Sequence, residues 1–75
     1  MQKYANLGGN SNIISYKVGS DYIVVEFMSG SDRIYTYTYA SAGTEAIEQM
    51  KQLADSGVGL NSFIGRQRPG FSSKV

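Results

Sequence analysis

Tyr22, Tyr35, Tyr37 and Tyr39, four of the six tyrosines, fall within eighteen residues, with Lys17, Arg33, Arg66 and Arg68 in the chain around them. Tyrosine rings on a sheet face can stack nucleobases, each worth about 1–3 kcal/mol, while lysine and arginine neutralise phosphates. The competing reading is that the same rings cover a core or their cross-strand neighbours, where aromatic pairs also stabilise. Which holds depends on which face of the sheet the tyrosines occupy.

Other chemistry is poorly supplied. The chain has no histidine and no cysteine, so the commonest metal ligand, the commonest general base and the thiolate nucleophile are all missing. No Ser-x-x-Lys element replaces them. Asp21 and Glu26 read as solvated carboxylates, and Gly8-Gly9 and Gly57-Val58-Gly59 read as turns and caps without the strand, helix and lysine of a phosphate loop. We therefore expect no catalytic residue, no metal and no cofactor.

The 75 residues allow one thin-cored domain, because a chain of this size buries only about 60% of the surface its unfolded form exposes. The missing cysteines and the lack of an apolar leader near Met1 lead us to expect a cytoplasmic protein. No apolar run is long enough for a membrane span, so no membrane partner is expected. A net charge of +1 does not by itself favour nucleic acid, but the distribution is uneven: all six acids lie between residues 21 and 55, with basic stretches on either side.

Positioning falls to the elements. Residues 1–11 read as a flexible arm, 12–65 as the domain, and 66–75, with Pro69-Gly70, as a flexible basic tail. The alternation in Ile13–Val18 predicts a first strand with Ile14, Tyr16 and Val18 on one face and Ile13, Ser15 and Lys17 on the other. Tyr22–Met28 and Arg33–Tyr39 predict a hairpin around Ser29-Gly30-Ser31-Asp32. A four-residue loop would put Tyr35, Tyr37 and Tyr39 opposite Glu26, Val24 and Tyr22, on the wetter face, whereas a three- or five-residue loop would put them with Phe27 and Val25 in the core. Ile47, Met50, Leu53 and Ala54 predict a helix from about Thr44 to Ser56, capped by Ser41 or Thr44 and ended by Gly57. Leu60, Phe63 and Ile64 predict a further helical turn or two, with Asn61 as a cap. The expected fold is α+β: a three-stranded antiparallel meander, one helix packed on the Ile23, Val25 and Phe27 face, and a short C-terminal helical turn.

Asn12-Ile13, the Ile23-x-Val25-x-Phe27 strand followed by Gly30, a tyrosine-x-tyrosine element, the helix end Ala54-Asp55-Ser56-Gly57, and Leu60-Asn61 followed by Ile64 stand in an order that resembles the KTSC domain, over residues 12–66. That family is named for a domain at the C-terminus of some lysyl-tRNA synthetases and also occurs as stand-alone small bacterial proteins. Its tyrosine motif maps to Tyr35 and Tyr37 or to Tyr37 and Tyr39, and Tyr39-Ala40-Ser41-Ala42-Gly43 replaces the family's Val-Pro-like turn. The resemblance implies RNA binding. Together with the tyrosines it leads us to expect a non-catalytic module for RNA or single-stranded nucleic acid, using Lys17, Arg33, Tyr35, Tyr37, Tyr39, Arg66 and Arg68. The alternative is a module that binds another protein, or itself, through an exposed strand edge.

Overall fold

The computed structural model describes residues 1–75. In chain order they form β1 (Gln2–Lys3), β2 (Ile13–Val18), β3 (Tyr22–Phe27), β4 (Ile34–Thr38), α1 (Tyr39–Ala42), α2 (Thr44–Ser56), α3 (Leu60–Gln67) and β5 (Ser73–Lys74). All neighbouring strands are antiparallel, and the sheet order β1-β2-β3-β4-β5 follows the chain. The fold is thus α+β, with the expected meander at its centre. Two short outer strands extend it to five, and there are three helices instead of a helix and a turn.

The strands form where β-branched and aromatic residues alternate, and the period-two pattern leaves one face apolar. In β3, Ile23 and Val25 have no exposed surface, whereas Tyr22, Val24 and Glu26 between them are partly open. α2 supplies the other half of the core. Ile47 and Met50 are fully buried and Ala54 nearly so, at helical spacing along one stripe. Leu60 and Phe63 of α3 complete this layer, so all helical burial lies on one side of the sheet.

The first strand departs from simple alternation. Ile13 pairs with Phe27 and Ser15 with Glu26, leaving Ile14 as an extra residue in a β-bulge. The bulge shifts the parity of what precedes it. Ile13 therefore joins Tyr16 in the core, and Ile14, expected on the same face as Tyr16, is exposed.

Residues 1–11 and 66–75 also differ from the expected loose arm and tail. Gln2 and Lys3 pair with Tyr16 and Ser15, and Tyr4 is 2% exposed within the core. At the other end α3 runs to Gln67, and Ser73 and Lys74 then pair with Thr36 and Tyr35. Both pairings are long-range in sequence, which local composition does not reveal.

Helix boundaries follow their caps. β4 ends because Thr38 opens a reciprocal capping box: its Oγ1 accepts from the Ser41 N–H at 3.1 Å, while Ser41 Oγ accepts from the Thr38 N–H at 3.0 Å. Thr38 is thus the N-cap of α1, with Ser41 inside that helix, and α2 begins after Gly43 with no side-chain cap, so neither Ser41 nor Thr44 caps it. Gly57 closes α2 in the left-handed conformation, at φ 78°, donating to the carbonyls of Leu53 and Ala54. Gly59, and not Asn61, stands at the N-cap of α3.

Candidate functional site

The loop between β3 and β4 decides where the tyrosines go. Glu26 pairs with Ile34, and the Phe27 N–H donates to the Arg33 carbonyl at 2.7 Å, so the loop is the five residues Met28 to Asp32. Val25 then faces Tyr35 and Ile23 faces Tyr37, on the helix-covered side. Tyr37 is 2% exposed and Tyr35 half-buried. Tyr39 has left the sheet and begins α1.

Lys17, paired with Val24, lies on the opposite, helix-free face. Arg33 immediately precedes β4, its Nε donating to the Gly30 carbonyl at 3.2 Å. Arg66 is exposed on the last turn of α3, its Nε donating to the Ser62 carbonyl at 3.4 Å, and Arg68 caps that helix. The seven residues expected to bind nucleic acid are therefore not brought to one surface. On the helix-free face the cations Lys3 and Lys17 share space with Glu26, whose Oε1 accepts from the Ser15 hydroxyl at 2.7 Å.

Tyr39 is engaged differently again. Its hydroxyl donates to Glu48 Oε2 at 2.6 Å, and Lys51 Nζ donates to the same oxygen at 2.9 Å and to the Ser20 carbonyl at 2.9 Å. The hydrogen bond to Glu48 holds the Tyr39 hydroxyl above the ordinary tyrosine value, with burial adding to it. Glu48 is lowered, first by the hydrogen bond from Tyr39 and then by that from Lys51. This cluster fastens the β4–α1 junction to α2.

Beside Tyr35 and Tyr37 there is an open groove of about 420 Å³. Phe27, Tyr35, Tyr37 and Ile64 form its apolar walls, and Asn12, Asp32 and Lys74 stand among its polar residues. The Phe27 and Tyr35 rings meet edge to face at 5.4 Å, and Tyr35 and Tyr37 lie nearly parallel at 6.2 Å. Lys74 Nζ is 3.7 Å from Asp32 Oδ2, with both side chains close to half exposed. Burial pushes the Tyr37 hydroxyl up to about 12, with Tyr35 adding to it, so that it remains a neutral donor and acceptor at neutral pH.

Beside the groove runs the edge of β4, which is occupied by the chain itself. The Ser72 N–H donates to the Thr36 carbonyl at 2.7 Å and the Val75 N–H to the Ile34 carbonyl at 2.9 Å. The Arg33 and Ile34 N–H groups donate to a main-chain oxygen of Val75 at 2.8 and 3.0 Å. The Phe71 ring packs edge-on against Tyr35 at 5.0 Å, and Ser41 Oγ donates to the Gly70 carbonyl at 2.8 Å. Yet every residue from Gly70 to Val75 is exposed. Backbone hydrogen bonds, not core burial, hold this segment in place.

The groove and edge draw on Asn12, Asp32, Ile64, Phe71 and Lys74, which sequence reasoning passed over as functional residues. Asn12 and Ile64 were quoted only for the family resemblance, and Phe71 and Lys74 fell in the supposed tail. No His, Cys, Asp or Glu residues gather in threes as a metal site would require. No helix is long and apolar enough to cross a membrane. No family model, curated protein or solved structure matches the chain, and the resemblance to the KTSC domain rests on the residues quoted for it.

Proposed function

We propose that this chain is a non-catalytic interaction module that takes an extended protein segment along the edge of β4, by strand addition. The observation that carries this reading is the exposed segment from Ser72 to Val75, held on that edge by main-chain hydrogen bonds. A β-strand edge offers a row of unpaired donors and acceptors, and any extended chain of suitable side chains can satisfy them. The segment that occupies it contributes no residue to the buried core, so a competing strand displaces it without opening the domain. Nucleic acid is the weaker reading, because a tyrosine platform needs open ring faces and Tyr37 is 2% exposed.

The test is removal of residues 71–75, followed by an NMR titration with a synthetic peptide of residues 68–75. The shortened protein should bind the peptide, with amide shifts concentrated at Arg33 to Thr38, while the full chain binds it more weakly because its own segment competes. A shortened protein that stays folded, shows no such shifts and gains no mass with concentration would sink the proposal. Shifts produced by a short single-stranded RNA instead, centred on Lys17, Arg33, Arg66 and Arg68, would favour nucleic acid.

A further inference from the structure

The groove between Phe27, Tyr35, Tyr37 and Ile64 has a feature that core packing does not explain. Tyr37 is 2% exposed, yet its hydroxyl makes no hydrogen bond within the protein, and no fully buried side-chain nitrogen or oxygen is left without a partner. The hydroxyl oxygen is therefore not fully buried, and Tyr37 is among the residues that line the groove. A hydroxyl that the fold leaves without a partner, on a residue lining a groove, is available to a ligand. At the mouth, Asp32 and Lys74 sit 3.7 Å apart and close to half exposed, a loose pair with donors and acceptors to spare. Asn12 lines the same groove, its Oδ1 accepting from the Ser29 hydroxyl at 3.2 Å, which leaves its amide hydrogens for another acceptor.

We propose that this groove binds a free aromatic α-amino acid, tyrosine in preference to phenylalanine, with its ring against Phe27 and Tyr35 and its charged end at the mouth. The charges select this class. A phosphate or a simple carboxylate at the mouth meets Lys74 but also Asp32, and an amine meets the reverse conflict. A zwitterion, whose ammonium and carboxylate are carried on one carbon, answers both charges together. Phe27 and Tyr35, both only partly buried, accept a flat ring by stacking and edge contacts. The Tyr37 hydroxyl exchanges a hydrogen bond with a phenol but has nothing to offer phenylalanine. The volume, about 420 Å³, lies in the range of small-molecule sites. This ligand uses the groove with β5 in place, since Lys74 belongs to that strand, and it stands apart from the strand-addition reading.

The experiment is an NMR titration of the full chain with L-tyrosine, L-phenylalanine, L-leucine, tyramine and 3-(4-hydroxyphenyl)propionate. L-Tyrosine should shift the amides of Ser29 to Asp32 and of Lys74, tyramine and the propionate should each bind several-fold more weakly, and leucine should not bind. Tyr37→Phe, which removes only an unpaired hydroxyl, should weaken tyrosine by about two- to tenfold while leaving phenylalanine within about twofold. Asp32→Asn, a surface change that does not threaten folding, should reduce the advantage of tyrosine over the propionate. The proposal is overturned if no amino acid shifts the groove, if leucine matches tyrosine, or if Tyr37→Phe weakens both aromatic amino acids equally.

Discussion

The hydroxyl of Tyr4 accepts the backbone N–H of Leu60 at 3.3 Å, a buried bond between residues 56 apart that ties the segment after β1 to the first turn of α3. The first N–H groups of a helix have no partner within it, and α3 has no side-chain cap from Gly59. Tyr4 takes that role from the far end of the chain. Tyr4→Phe should therefore cost about 1–3 kcal/mol, the usual penalty for a buried donor left unpaired. Urea unfolding measures it, with Tyr22→Phe as a control, since the Tyr22 hydroxyl makes no bond within the protein and its loss should stay within about 0.5 kcal/mol.

Tyr37 sets a pH dependence at the alkaline end. Its hydroxyl rises from 10.0 to about 12 in the folded chain, chiefly through burial. Below pH 10.0 both states keep the proton and nothing is lost. Between 10.0 and about 12 the unfolded chain ionises while the folded one does not, so its contribution to stability falls by roughly 1.4 kcal/mol per pH unit, then levels off. Tyr37→Phe should flatten the decline of the urea midpoint across that window. An unchanged slope would show that other groups cause it.

Glu48 gives an effect of the opposite sign. Its carboxyl is lowered by the hydrogen bonds from Tyr39 and Lys51, so its small contribution is present above the ordinary carboxylate range and disappears as pH falls through the lowered value. Glu48→Gln should differ from the parent at neutral pH and converge with it in acid. The same substitution should bring the Tyr39 hydroxyl back down, since Glu48 is the leading cause of its rise. Ultraviolet titration of tyrosinate, with Tyr39→Phe to identify the transition, reads this directly.

Two glycines should respond in opposite directions. At Gly57, with φ 78°, an added Cβ would lie 2.6 Å from Ala5 Cβ, so Gly57→Ala combines left-handed strain with a clash. It should destabilise by at least about 1–2 kcal/mol. Gly65 sits inside α3 with nothing within 4 Å of an added Cβ, and Gly65→Ala should stabilise by about 0.5–1 kcal/mol. Thermal melts of the two variants test both signs.

The limits of sequence reading lie where interactions are long-range. The strand at Ile13–Val18 and a helix over about Thr44 to Ser56 were legible, because alternation, helical spacing and Gly57 are local signals. The helical side of the sheet was legible too, from Ile23 and Val25. The loop parity was not. It depends on one backbone bond between Phe27 and Arg33, and Ser29 to Asp32 suit several turn lengths. The bulge at Ile14 has no marker such as glycine, and Tyr4 entered the core from a stretch whose composition resembles a linker. For the candidate site, Tyr35 and Tyr37 were found, but their setting was not. It is assembled from Asn12, Asp32, Ile64 and Lys74, which only the folded chain brings together.

The short strand at Ser73–Lys74 also acts as a guard. Ile34–Thr38 is an Ile-Tyr-Thr-Tyr-Thr run with no charge, proline or glycine, the composition that forms cross-β stacks when its edge is bare. Only a two-residue strand and its flanking bonds cover that edge, and Lys74 places a charge beside it. Lifting the segment off, as by a proteolytic cut near Pro69, should bare this run and raise the tendency of the chain to form fibrils.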